Sequence, residues 1–173
     1  MGFELSLITL VHVVISVLGI IAGLVVVGGL LAGARLDGWT ALFLATTLLT
    51  SVTGFFFPSA GVTPPKVVGA LSIVMLALCA VSRYQRRLAG AWRTTYVVSA
   101  VAALYLNVFV LVVQLFTKTP ALAQLAPTQK EPPFAATQLL VLGLFAWLGW
   151  AAVRGFRTGA GNAMDTAAQG SLA

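Results

Sequence analysis

The chain has 173 residues, of which 60% are hydrophobic and only 8% charged, with a mean hydropathy of +1.01. A soluble domain carries about 25% charged residues, so this composition excludes a water-facing surface and leaves lipid as the main solvent. Ten Lys and Arg against four Asp and Glu give a net charge of +6, too thinly spread for a nucleic-acid face and read here as membrane topology signals.

Five apolar segments meet or approach the ~20 residues that carry a helix across ~30 Å of hydrocarbon. They cover residues 5–31, 39–57, 66–82, 94–116 and 134–153. All seven prolines fall between them, where a missing N–H does no harm. The first span is expected to stay in the mature protein, because Met1-Gly2-Phe3-Glu4 lacks a basic leader and the apolar run outlasts a signal peptide's. The third is the shortest. Its uncharged stretch, 67–82, reaches only ~24 Å at 1.5 Å per residue. Lys66 and Arg83 can snorkel from its ends, so it is read as crossing. A four-span arrangement without it is the structural rival. The expected fold is therefore an all-α integral membrane bundle of five transmembrane helices within residues 1–157, with 158–173 a small, polar, disordered cytoplasmic tail.

Charge sets the direction. With five crossings, Arg35, Arg83, Arg86, Arg87, Arg93, Arg154 and Arg157 share one side, while Lys66, Lys118 and Lys130 share the other. The positive-inside rule places the arginine side in the cytoplasm, the N-terminus outside and the C-terminus inside. Trp39, Trp92, Trp147 and Trp150 lie near the arginine side, as interface anchors do.

Three connections are short, which favours antiparallel neighbours. Only residues 117–133 form a longer one. There, Thr119 and Pro120 suit the N-cap and first position of a short helix through Gln124, with Leu122 and Leu125 facing the membrane surface. This loop reads first as a rigid lid on the bundle and second as a contact surface for a partner.

Polar side chains within spans are costly and usually face the bundle interior. Thr9, His12, Ser16, Gly19 and Gly23 share one face of the first span, and Ser99, Ala103, Asn107 and Gln114 one face of the fourth. Thr46, Thr50 and Thr53 line the second, with Ser72 in the third and Gln138 in the fifth. At 1.5 Å per residue, His12, Thr50 and Ser72 lie ~9–10 Å below the outer boundary and Asn107 ~14 Å. Gln114 and Gln138 are shallower. The inner half offers little beyond Ser99 and Cys79, so the expectation is a polar layer in the outer half built from His12, Ser16, Thr50, Ser72, Asn107, Gln114 and Gln138. Its first interpretation is interhelical hydrogen bonding, helped by the small-residue pairs Gly19/Gly23 and Gly29/Gly33. The alternative is a pocket open to the periplasm, with His12 its one titratable group.

The chemistry available is narrow. One cysteine and one histidine leave no internal disulfide and no His/Cys metal cluster. No span contains Asp or Glu, so a carboxylate proton relay is not expected. Ser16 lies one turn from His12, but no orienting group or oxyanion site accompanies them. Cys79 reads as a packing residue. The expected function is thus non-enzymatic, an accessory or scaffolding subunit that binds partner proteins or an apolar ligand in the bilayer. Lipids and a membrane-protein partner or second copy are the expected associates, with no nucleic acid, metal or resident cofactor. The alternatives are a small permease or channel using the layer around His12, and a haem or pigment protein liganded by His12.

The segments Asp37-Gly38-Trp39-Thr40-Ala41-Leu42-Phe43-Leu44-Ala45-Thr46 and Leu125-Ala126-Pro127-Thr128-Gln129-Lys130-Glu131-Pro132-Pro133-Phe134 resemble those of a family of small proteobacterial inner-membrane proteins with no assigned function. The resemblance covers most of residues 12–156. It implies a multi-pass protein of the bacterial inner membrane and carries no activity, catalytic residue or cofactor with it.

Overall fold

The computed structural model describes the backbone of residues 2–56, 61 and 63–170, and the side chains of residues 7–56, 61 and 63–156. The side chains of Glu4, Arg157 and Asp165, and all of Phe57 and Pro58, lie outside the described residues.

Among the described residues six α-helices follow in order: α1 (Gly2–Leu31), α2 (Asp37–Phe55), α3 (Pro64–Ala80), α4 (Trp92–Lys118), α5 (Pro120–Leu125) and α6 (Pro132–Gly170). A π turn, Val81–Gln85, extends α3, and no strand occurs among the described residues. Five helical stretches are long and apolar enough to cross a membrane: Leu7–Leu31, Asp37–Phe55, Pro64–Gln85, Trp92–Lys118 and Pro132–Phe156.

The third span is longer than its apolar run suggests. Thr63 enters in an extended conformation, and Pro64 and Pro65 occupy the first helical positions, where their fixed φ starts the helix and their missing N–H is not needed. The helix then passes through the π turn, giving 22 residues to Gln85 and ~33 Å at 1.5 Å per residue. This removes the shortness on which the four-span alternative rested. The other difference is at the C-terminus, where α6 runs on to Gly170 in place of an unstructured tail from residue 158. A helix already nucleated in an apolar span needs no new nucleus to continue, and Ala160, Ala163, Ala167 and Ala168 are strong helix formers that offset Gly159 and Gly161.

Side-chain contacts show that the helices alternate in direction. Arg83, after α3, meets Asp37 at the start of α2 and Tyr96 early in α4. Gly155 in α6 lies against the backbone of Leu31 at the end of α1. These contacts gather Arg35, Arg83, Arg86, Arg87, Arg93 and Arg154 at one end of the bundle. The α2–α3 turn with Lys66, and the 117–133 connection with Lys118 and Lys130, lie at the other.

The central helix is α4: 56% of its apolar window is buried, against 17–28% for the other four. Around its Val97, Ala100, Ala103 and Leu104 pack Ala22, Val26 and Leu30 of α1, Phe43 of α2, Cys79 of α3, and Phe145 and Ala152 of α6. Two glycines allow this closeness. A Cβ on Gly23 would stand 2.6 Å from Leu104 Cδ1 and 2.9 Å from Phe43 Cε2, and one on Gly155 would overlap the Leu31 carbonyl. The Gly29/Gly33 pair has a different purpose from the one its spacing suggests. Gly29 makes room for Leu36, and Gly33 takes φ +72°, so both shape the α1–α2 turn.

Candidate functional site

The expected polar layer resolves into separate pairs. On the α1–α2 seam, His12 Nδ1 lies 2.9 Å from Thr53 Oγ1. Ser16 Oγ donates to the His12 carbonyl at 2.6 Å, with Thr50 Oγ1 at 3.4 Å. Thr53 also contacts its own helix, with its hydroxyl 2.7 Å from the Leu49 carbonyl. When Thr53 donates to that carbonyl, its oxygen accepts from the His12 ring. Thr53 is therefore a side-chain partner of the histidine. Thr50 is one turn off that level, and Asn107 is engaged elsewhere.

Asn107 Nδ2 donates to Thr47 Oγ1 at 3.0 Å, tying α4 to α2 through a fully buried threonine. Gln138 Nε2 donates to the Phe109 carbonyl at 3.3 Å, tying α6 to α4, while Gln138 Oε1 is buried with no hydrogen-bond partner. Ser72 is buried on α3. Gln114 is exposed on the outside of α4. The structure thus brings His12, Ser16 and Thr50 together, and places Asn107, Gln138, Ser72 and Gln114 at other points of the bundle.

A second polar cluster, at the arginine end, is more deeply buried and escapes the sequence reading. Arg83 Nη1 donates to Tyr96 Oη at 3.0 Å, and Nη2 donates to Asp37 Oδ1. Thr40 Oγ1 lies 2.8 Å from the Leu36 carbonyl and 3.1 Å from Tyr96 Oη. Since Thr40 donates to that carbonyl, Tyr96 donates to Thr40 and accepts from Arg83. One directed chain then runs from Arg83 through Tyr96 and Thr40 to Leu36. Every buried polar group in it has a partner, as burial in a low dielectric requires. The Tyr96 ring also lies beneath the guanidinium at 5.3 Å and beside Phe156 at 6.0 Å.

The cause is local. In the π turn, the consecutive residues Ser82 and Arg83 are both buried, and such turns often mark functional or strained points of a helix. The chain leaves it through Arg87 and Leu88, both at positive φ. This corrects the expectation that the inner half holds little beyond Ser99 and Cys79. Tyr96 is easily counted as apolar, and Thr40, Asp37 and Arg83 resemble boundary residues.

At the opposite end the 117–133 connection is ordered. Thr119 takes the N-cap position in an extended conformation but makes no side-chain capping bond, Pro120 opens the helix, and it ends at Leu125. Ala126 is buried against Val112 and Phe116, and Phe116 meets Phe134 edge-on at 5.3 Å. Glu131 Oε1 accepts from Thr128 N at 3.1 Å and Oγ1 at 2.8 Å, and Oε2 accepts from Lys130 N at 3.0 Å. Desolvation acts to raise the Glu131 pKa, but these hydrogen bonds outweigh it and hold the carboxyl below its ordinary range.

Among the described residues, no three His, Cys, Asp or Glu side chains stand together as metal ligands. Fold and polar groups together define a helical bundle of the multi-pass membrane class, pinned at several levels by interhelical hydrogen bonds. No family model matches the chain, and no curated protein or solved structure is significantly similar to it.

Proposed function

We propose that this chain is a non-enzymatic accessory or scaffolding subunit of the bacterial inner membrane, with its arginine end in the cytoplasm, that associates through its apolar helix faces with another membrane protein or a second copy of itself. The observation that carries this reading is how the interior polar groups are used. His12 with Thr53, Asn107 with Thr47, and Arg83 with Asp37 and Tyr96 each join two or more helices. Bonds of this kind hold membrane helices together for about 0.6–2 kcal/mol each.

Two outer faces are free of such groups. On α1, Leu7, Leu10, Val14 and Leu24 are all about half exposed, and on α6 Leu139 and Leu140 are 67% and 70% exposed. The seven-to-three division of arginine and lysine supports the orientation, and the resemblance of the two quoted segments supports the location.

The test is native mass spectrometry after extraction in mild detergent. A defined complex larger than one chain is the expected species. Monomer alone across several mild detergents, with in-membrane cross-linking from cysteines introduced on α1 and α6 also yielding no adduct, overturns the proposal.

A further inference from the structure

We propose that the arginine end of the bundle holds the phosphate head group of an anionic phospholipid, in a recess where the connection after the π turn enters α4. The recess has a volume of about 750 Å³ and is lined by Gly90, Ala91, Arg93, Thr94 and Thr95. It lies at the level of the Trp92 and Phe156 rings, where a bilayer would present its head groups. This inference goes beyond the scaffolding reading and does not depend on which protein the chain meets.

The charge at this end favours an anion. The acidic side chains among the described residues are Asp37 and Glu131. Glu131 belongs to the opposite end, and Asp37 is committed to Arg83. Arg35, Arg86, Arg87 and Arg93 therefore stand at this end without a carboxylate among the described residues. A basic cluster bordering a membrane span attracts anionic lipid with about 1 kcal/mol per arginine.

Stacking preorganises two of these arginines. The Arg86 guanidinium lies over the Trp92 ring at 5.0 Å and that of Arg93 over Phe156 at 6.0 Å. A guanidinium stacked on an aromatic face keeps its in-plane N–H groups free to meet phosphate oxygens in paired fashion. Arg93 is one of the residues that line the recess, and Arg86 stacks on Trp92, the chain neighbour of the lining residues Ala91 and Arg93.

The apolar surroundings distinguish a lipid from a free anion. Thr95 and Val98, three residues apart, share one face of α4. Val98 is 52% exposed on the helix that is otherwise the most buried of the bundle. One turn beyond the lining residue Thr95, the span thus presents an exposed apolar side chain. A soluble phosphate has no use for it, but an acyl chain does.

The test titrates the full-length protein in a non-ionic detergent with phosphatidylglycerol or phosphatidylcholine and counts retained lipid by native mass spectrometry. Phosphatidylglycerol is expected to be retained preferentially. Arg86→Gln and Arg93→Gln should each lower its retention about fivefold, which is about 1 kcal/mol per arginine, and together about 25-fold if they act independently. Lys118→Gln, at the opposite end, should leave it unchanged. If Arg93→Gln fails to fold, Arg86→Gln on the exposed surface carries the test. Equal retention of the two lipids, or wild-type retention in the arginine variants, overturns the proposal. Displacement of phosphatidylglycerol by an equal concentration of free glycerol phosphate also overturns it, and reassigns the recess to a soluble anion.

Discussion

Removing one partner of the Arg83–Asp37 pair should have very unequal consequences depending on which is removed. The Arg83 side chain is 3% exposed and that of Asp37 is 76% exposed. Asp37→Ala leaves a charged guanidinium buried among helices with its Nη2 donor unmatched. Breaking a fully buried pair in this way costs about 3–5 kcal/mol, whereas an exposed pair is worth about 0–1 kcal/mol. With one partner in each environment, about 2 kcal/mol is expected. Arg83→Met removes the charge and keeps most of the stem. Asp37 is then hydrated, and Tyr96 still donates to Thr40, so the loss should stay within about 1 kcal/mol. The double variant should accordingly be more stable than Asp37→Ala alone. Unfolding by a graded mole fraction of SDS in mixed micelles, followed by tryptophan fluorescence, gives the three free energies. The reasoning fails if Arg83→Met is the more damaging single change, or if the double variant loses the sum of the two.

Other consequences are equally specific. Gly155→Ala should destabilise by about 1–3 kcal/mol through overpacking, because its methyl would meet the Leu31 carbonyl. Gly143→Ala, which meets nothing within 4 Å, should be neutral or stabilising by up to about 1 kcal/mol, and the same SDS titration reads both. Thr47→Val leaves the Asn107 amide without its acceptor and should cost about 0.6–2 kcal/mol, while wild-type stability would remove this bond from the set that holds α2 to α4. The 117–133 connection should respond to acid. Because Glu131 is held below its ordinary value of 4.5, its contribution to loop order is complete above that pH and is lost as pH falls through the lowered value. Amide exchange at Thr128 and Lys130, corrected for intrinsic rates, should accelerate there, and protection that stays unchanged after the carboxyl is seen by NMR to protonate would refute the assignment.

Most of the architecture is legible in the residues, because a lipid solvent demands long apolar runs and expels proline from them. Pro64, Pro65 and Pro120 even mark helix starts, which is local chemistry that the bundle does not override. What the one-dimensional pattern hides is pairing. Depth arithmetic puts His12, Thr50 and Asn107 near one level, yet hydroxyls bond within reach of a single turn, so Thr53 takes the histidine and Thr47 takes the asparagine. The Arg83 cluster is hidden for a different reason. A π turn breaks the 3.6-residue register, and a charge at the end of an apolar run looks like a boundary marker until the turn folds it inward. Gly29 and Gly33 show the same limit, since a four-residue spacing suits helix packing and a turn equally well.

Whether the interior polar groups join helices or line a water-filled path is decided most directly by thiol accessibility. In a Cys79→Ala background, Thr50→Cys and Asn107→Cys are exposed, in intact membranes, to a membrane-impermeant maleimide, with Thr128→Cys in the 117–133 connection as the reactive reference. Both interior positions should stay unlabelled until the bundle is unfolded in SDS, while the reference reacts at once. Labelling of either interior position at a rate near that of the reference would mean that water reaches the layer, and the chain would then have to be read as a permease or channel.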